Sequence, residues 1–92
     1  PYLSAVSEDA RGHVWAAVVD EVAEAPEGEP HRFESMVEAV DPATGRLLGS
    51  ARVPGRVLLM TRDGTIVSYA EGELGTPLLT ISRARVHDPS AR

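Results

Sequence analysis

A short unit of strand, tight turn and strand occurs twice in this sequence and limits what the chain can fold into. The first copy spans residues 3–17 and the second spans residues 57–70. Each copy joins two apolar strands through a turn that begins with Asp and ends with Gly, at 9–12 and at 63–64. A spacing of about 50 residues between such turns is typical of repeated four-stranded units. The repeat therefore predicts an architecture built from two similar β units.

The apolar residues outside the repeat also follow a period of two, and turn residues recur regularly between them. This pattern is typical of an antiparallel all-β chain. We expect an all-β fold with about seven antiparallel strands in sequential meander order, four followed by three. The strands are predicted over residues 2–7, 13–22, 31–40, 46–53, 56–62, 65–70 and 77–86.

The strand count also predicts how the chain is divided. We expect a four-stranded unit over residues 1–53, a three-stranded unit over residues 54–86 and a flexible tail over residues 87–92. An alternative to the second strand stays open, namely a short helix over residues 14–25. Its density of β-branched residues and the Pro that follows favour the strand.

Composition limits the partners and the chemistry that we expect. The 92 residues include no Cys, which excludes disulfides, a thiolate nucleophile and Cys-ligated metals, and which indicates no particular compartment. A net charge of -5 without a basic stripe predicts no nucleic-acid binding. No apolar run reaches the roughly 20 residues of a membrane span. The chain begins at Pro1 without a signal-peptide pattern, and the missing initiator Met predicts that it was cut from a longer protein.

The residue types that often carry catalysis show no catalytic pattern. The three histidines lack the spacing of metal ligands, and His13 and His31, each next to a turn residue, are predicted to lie on the surface. Asp9, Asp41 and Asp63 each precede a turn glycine and are predicted to stabilise their turns. We therefore expect no catalytic residue, no metal and no cofactor.

The turn and strand residues together resemble the blades of six-bladed β-propellers of the NHL-like bacterial type. Residues 6–15 (VSEDARGHVW) and 37–47 (VEAVDPATGRL) are similar to the two halves of one blade, and residues 59–67 (LMTRDGTIV) to the first half of the next. The resemblance implies about two blades, from the C-terminal part of a propeller. Trp15 and Tyr69 occupy matching places in the two units and are predicted to pack between sheets.

Two blades cannot close a ring, so three arrangements stay open. They are a fragment of a longer propeller, an oligomer that completes a ring, and two sheets folded onto each other as a small sandwich. The resemblance implies a non-catalytic interaction or scaffold module whose partners are protein, either the remaining blades or a second copy, through strand edges along 77–86 and 46–53. The alternative is part of an enzyme or ligand-sensing propeller whose site is completed by missing blades.

The resemblance also implies where a binding site would lie. The loop after the second strand and the loop between blades fall on one face, so residues 20–31, 53–56 and 71–76 would meet there. A dense acidic run within the first of these loops lacks the cadence of a calcium loop and is predicted to be solvated. The binding residues predicted for this face are Asp20, Glu21, Glu24, His31, Arg56, Glu71 and Glu73.

Overall fold

The computed structural model describes residues 1–21, 32–72 and 75–86. These residues form seven antiparallel strands and essentially no helix. The strands are β1 (Tyr2–Glu8), β2 (Val14–Glu21), β3 (Phe33–Asp41), β4 (Arg46–Pro54), β5 (Arg56–Met60), β6 (Thr65–Glu71) and β7 (Pro77–Arg83). One sheet has the order β1-β2-β3-β4 and the other has the order β5-β6-β7. The predicted all-β fold, with four strands and then three in meander order, is confirmed.

The strand at residues 14–21 settles the choice between strand and helix in that region. β2 lies between β1 and β3, and its central residue Ala17 is in register with Ala5 on one side and Val37 on the other. Valines and alanines on both faces suit this central position, because both faces are covered or half-covered. The helix alternative over 14–25 is wrong for the described part of that range.

β2 begins one residue later than predicted and β5 and β7 end earlier, whereas β1, β3, β4 and β6 each end one residue later than predicted. β2 begins at Val14, since the Asp9 amide donates to the His13 carbonyl at 2.9 Å and keeps His13 in the turn. β5 ends at Met60, since the Thr61 amide donates to the Thr65 carbonyl at 2.9 Å. β7 ends at Arg83. The predicted ends at residues 22 and 31 lie outside the described residues.

The two sheets pack face to face, and the core lies between them. Ala17 and Val37 from the four-stranded sheet meet Val57, Met60 and Ile66 from the three-stranded sheet, and all five are buried. Successive side chains of a strand point to opposite faces, so each sheet has one face in this contact and one face outside it. Burial of these apolar side chains is the main favourable contribution that holds the two sheets together.

The two sheets do not use equivalent faces for this contact. In the four-stranded sheet, we call the face that carries Trp15 and Ala17 the forward face. The matching face of the three-stranded sheet carries Val67 and Tyr69 and is its forward face. The opposite face, with Ala16 in one sheet and Ile66 and Ser68 in the other, is the rear face. The forward face of the four-stranded sheet packs on the rear face of the three-stranded sheet. The two sheets are therefore stacked in the same sense, front to back.

The link between the sheets is fixed by a buried hydroxyl. Gly55, between β4 and β5, has φ +85°, and a Cβ there would lie 2.4 Å from the Tyr69 carbonyl oxygen, so only glycine fits. Its amide donates to the Phe33 carbonyl at 2.8 Å. Ser35, which is fully buried in β3, donates to the Gly55 carbonyl at 2.9 Å and accepts from the Val57 amide at 3.0 Å. These bonds hold the start of the second sheet against β3.

Candidate functional site

A cleft of about 720 Å³ lies at the end of the molecule where β2 and β6 finish and β3 and β5 begin. It opens between the two sheets, beside the Gly55 link. Clefts of this size are common for small-molecule sites. The described residues that line it are Glu21, Arg32, Phe33, Pro54, Gly55, Arg56, Tyr69, Ala70 and Glu71.

The most specific feature of the cleft is an arginine stacked on an aromatic ring. The Arg56 guanidinium carbon lies 3.7 Å from the centre of the Phe33 ring, which is within the range of a cation–π contact. Stacking uses the flat face of the guanidinium and leaves its N–H donors at the rim free to bind acceptors. Both residues are half-buried. Arg56 therefore places a cation at the wall of the cleft.

The cleft brings together three of the predicted binding residues. Glu21, Arg56 and Glu71 line it, although they come from three different strands. Asp20 is exposed and, by the alternation of β2, lies on the rear face of its sheet. The predicted residues Glu24, His31 and Glu73 lie outside the described residues. That the cleft binds a ligand stays a prediction.

Sequence reasoning missed Phe33 as a member of this cleft. Phe33 is the only phenylalanine of the sequence and lies in the predicted third strand, where no binding role is predicted for it. Its position near the start of β3 places it at the end of the sheet. The sequence does contain a signal for this contact, which is an aromatic at the start of the β3–β4 hairpin and an arginine just after it. The register pairs Glu34 with Pro54 and so brings Phe33 and Arg56 to the same end of the sheet.

At the opposite end of the molecule, Asp9 organises the first turn. Its Oδ1 accepts from the backbone amides of Arg11 (2.8 Å) and His13 (2.9 Å), and its Oδ2 accepts from the Trp15 indole Nε1 (2.9 Å). Burial alone would raise the pKa of Asp9, but the hydrogen bonds from Trp15 and from the two backbone amides outweigh it and hold the pKa below its ordinary value. The turn role of Asp9 is confirmed, and the bond to Trp15 adds a link to the core.

His13 differs from its predicted surface position. The residue is half-buried, and its Nδ1 is buried 3.3 Å from Asp9 Oδ2, in a geometry that does not align for a hydrogen bond. The physical reason is the Asp9 turn, which folds the start of β2 back over the carboxylate. The imidazole therefore belongs to the packing of this turn.

Asp63 holds the equivalent turn of the second copy through more exposed contacts. Its Oδ1 accepts from the Thr61 hydroxyl and from the Thr65 backbone amide (3.2 Å), and its Oδ2 lies 3.4 Å from Arg83 Nη2. The hydrogen bonds from the two threonines, followed by the charge of Arg83, lower the pKa of Asp63 to about 2. Asp41 similarly accepts from the Ala43 amide at 2.9 Å. The predicted turn roles of Asp41 and Asp63 are confirmed.

Each outer face carries a patch of apolar side chains, and the β3–β4 side of the rear face of the four-stranded sheet also carries Glu34, Glu38 and Arg52. On the rear face of the four-stranded sheet, Leu3 and Val6 are each 58% exposed. On the forward face of the three-stranded sheet, Leu79 and Ile81 are 67% and 74% exposed. The strand register makes each patch contiguous. The neighbouring pairs on the rear face of the four-stranded sheet are Leu3↔Val18, Val6↔Ala16 and Val18↔Met36. The pairs on the forward face of the three-stranded sheet are Leu59↔Val67, Val67↔Ile81 and Tyr69↔Leu79.

The described part of the chain contains no group of three acidic or histidine side chains that could hold a metal ion. Within the same residues, no helix has the length and apolar character needed to cross a membrane. Comparison of the chain with protein-family models, with curated proteins and with solved structures finds no match. The cleft and the apolar patches of the two outer faces are the candidate functional sites of the described residues.

Proposed function

We propose that this chain is a protein-interaction module that acts by stacking its two apolar outer faces against further β-sheets, as neighbouring blades of a β-propeller do. The observation that carries the proposal is the contiguous apolar surface on the outside of both sheets. Scattered exposed apolar residues are normal on a protein surface, whereas contiguous apolar patches mark interaction sites.

The composition of the central strands β2 and β6 supports this proposal. An antiparallel sheet with one solvated face alternates apolar and polar residues, whereas a sheet covered on both faces reads as a nearly continuous apolar run. β2 reads VWAAVV before its acidic end, and β6 places Val67 and Tyr69 opposite to the buried Ile66. At the outer positions of β2 and β6 a self-sufficient two-layer sandwich would have polar residues, as β3 has at Glu34 and Glu38.

The arrangement of the strands also supports a propeller-like module. Each sheet is an antiparallel meander, and the two sheets stack front to back with β5 beside β1. Front-to-back stacking leaves an open rear face at one end of the stack and an open forward face at the other. A propeller continues this stack from blade to blade until the ring closes.

Site-specific photo-crosslinking tests the interaction function. A photoreactive phenylalanine analogue replaces Ile81 on one outer face or Val6 on the other, and the matched control carries it at Thr44, an exposed residue of the β3–β4 turn. In cells that express the protein, we expect discrete crosslinked protein products from Ile81 and Val6 and none from Thr44. Absence of a specific product from both outer faces would overturn the proposal.

One observation favours a second candidate function, which is binding of a small anionic ligand in the cleft. Arg56 lies over the Phe33 ring at the wall of the cleft and is half-buried. Its planar guanidinium fork matches a carboxylate or a phosphate. Glu21 and Glu71 at the same cleft would favour a ligand that also carries a cationic group.

A thermal-shift titration tests this second candidate. Citrate and inorganic phosphate serve as anionic probes, and glutamate serves as the probe that carries both charges. A ligand that binds only the folded state raises the melting temperature with its concentration. We expect a rise for the wild type that disappears in Arg56→Ala but persists in Arg52→Ala, since Arg52 is an exposed arginine paired with Glu34 at 3.0 Å. Equal responses of the two variants would exclude a cleft site.

A further inference from the structure

We infer that the partner of the outer faces is a second copy of this chain, bound head to tail, with the open forward face of one copy on the open rear face of the next. This assignment rests on the proposed function, because both require the outer faces to be interaction surfaces. It adds the identity of the partner and the orientation in which it binds.

The internal contact of the chain already shows one example of the required interface. The forward face of the four-stranded sheet, with Trp15 and Ala17, packs on the rear face of the three-stranded sheet, with Val57 and Ile66. Its two outer faces are the remaining forward face and the remaining rear face. Each copy therefore carries both halves of a contact of the same type, so stacking of copies continues an interface that exists within the chain.

The strand register supports the equivalence of the two sheets. The last pair before the turn is Glu8↔Val14 in the first copy of the repeat and Met60↔Ile66 in the second. Val14 and Ile66 are therefore matched positions on the two rear faces. Val14 is open on the outside of the molecule, whereas Ile66 is buried against the neighbouring sheet. The open rear face carries an apolar residue at the position where the closed one carries a core residue.

The front-to-back geometry also determines the symmetry of the assembly. A contact between two different faces is heterologous, and it produces a closed ring if the rotation between copies closes, or an open stack if it does not. Pairing of two identical faces about a two-fold axis would give a dimer and leave the other face open. Variants in which one outer face is blocked can therefore reveal the orientation of the contact, because the orientation determines which variants bind each other.

The test uses two variants, each with one outer face blocked by charge. L79E/I81E blocks the open forward face, and L3E/V6E blocks the open rear face, at positions that are all at least half exposed. Analytical ultracentrifugation follows each protein from low to high micromolar concentration. We expect the wild type to assemble beyond a dimer, each variant alone to be monomeric, and an equimolar mixture of the two to form a heterodimer, because each supplies the face that the other lacks.

Controls separate loss of assembly from loss of folding. A43E/T44E places the same charges on an exposed turn and is expected to assemble like the wild type. Circular dichroism and the melting temperature report the fold of every variant. If a glutamate pair unfolds the chain, I81T replaces L79E/I81E and V6T replaces L3E/V6E. Threonine keeps a β-branched side chain in the strand, so these variants are expected to weaken assembly without abolishing the fold.

Two results would overturn the inference. A wild-type chain that stays monomeric at every concentration excludes a second copy as the partner, and a heterodimer that fails to form from the two folded variants excludes the head-to-tail orientation. The photo-crosslinking result keeps this failure distinct from that of the proposed function. Crosslinks from Ile81 to a different protein, with a monomeric chain, would leave the interaction module intact and reject self-association alone.

Discussion

The two copies of the strand–turn–strand unit share a backbone plan, but their forward faces are in different environments. In the first copy, Trp15 lies against the core and Ala17 is fully buried. Strand register matches these positions to Val67 and Tyr69 in the second copy, both half-buried on an open face. The difference arises because, among the described residues, one forward face has a neighbouring sheet and the other has none. An apolar forward face without a neighbour is what makes this chain an interaction module in our proposal.

The largest expected effect comes from placing a charge, in separate variants, at two matched positions of the two copies. Ala17→Asp buries an unpaired carboxylate between the sheets and is expected to destabilise the fold by about 3–5 kcal/mol. Tyr69→Asp, its counterpart on the open face, is expected to reduce the free energy of unfolding by only about 1 kcal/mol, because water reaches the new carboxylate. Urea unfolding of both variants measures the difference.

This pair of variants can also show whether the forward faces of the two copies differ in their contribution to folding. If Tyr69→Asp destabilised the isolated, monomeric chain as much as Ala17→Asp does, the forward face of the three-stranded sheet would belong to the folding core. The outer face would then have a structural role and no reason to bind a partner.

A second contrast lies in the two turn glycines. Gly12 and Gly64 both have positive φ, +82° and +90°, so alanine at either position costs about 1–2 kcal/mol of backbone strain. A Cβ on Gly64 would also lie 2.2 Å from the Ala84 carbonyl oxygen, whereas a Cβ on Gly12 would meet only Glu8 Oε1, at 4.0 Å. We expect Gly64→Ala to reduce the free energy of unfolding by about 3 kcal/mol and Gly12→Ala by about half as much.

Chemical denaturation at equal protein concentration compares the two glycine variants. The Ala84 amide donates to the Gly64 carbonyl at 2.9 Å, so Gly64→Ala must displace the segment after β7. Hydrogen exchange is therefore expected to increase at Ala84 in Gly64→Ala and to stay unchanged there in Gly12→Ala. Equal destabilisation by the two variants would contradict the close packing of the second turn.

The next expected effect concerns the link between the first turn and the core. Asp9→Asn keeps an oxygen for the Arg11 and His13 amides but places an amide N–H donor where Oδ2 accepts from Trp15 Nε1. We expect a loss of about 1–2 kcal/mol in the free energy of unfolding. Trp15→Phe removes the same bond from the other side, so the effects of the two substitutions are expected not to add in a double-mutant cycle. Additive effects would show that the bond contributes nothing.

Turn chemistry and alternation made much of this fold predictable from the sequence. Asp followed by Gly fixed the turns of both copies, and the predicted strands differ from the observed ones by a few terminal residues. Alternation in β2 and β6 could not tell which face is buried, because both strands are apolar on both faces. In β3, by contrast, Glu34 and Glu38 mark the outer face. Counting from the turns also shows that Trp15 and Tyr69, predicted to match, stand two residues apart on the same type of face.

The candidate cleft was predictable only in part. The order of strands and loops was enough to place Glu21, Arg56 and Glu71 at one end of the molecule. The stacking of Arg56 on Phe33 was not predictable, because it depends on the backbone at Gly55 and on its hydrogen bonds to Phe33 and Ser35. Such contacts join residues about 20 positions apart in the chain, and periodicity reports only local structure.

The smallest expected effect distinguishes the two turn aspartates by pH. The pKa of Asp63 falls from 3.8 to about 2 on folding, mainly through its hydrogen bonds with Thr61 and Thr65. A carboxylate with a lowered folded-state pKa stabilises the fold above its unfolded pKa, and this contribution disappears as the pH falls through the folded pKa. The stability difference between the wild type and Asp63→Asn is therefore expected to be constant above about pH 4 and to shrink between pH 4 and pH 2.

Urea midpoints of the two proteins across that range measure this change. Asp9 stays intact in both proteins, and because its pKa is also lowered, its own loss of stability in acid affects the two equally and cancels in the difference. The effect is small because Asp63 is exposed, so water and salt screen its interaction with Arg83. A difference that stayed constant down to pH 2 would show that Asp63 acts through turn geometry alone and that its ionisation does not contribute to stability.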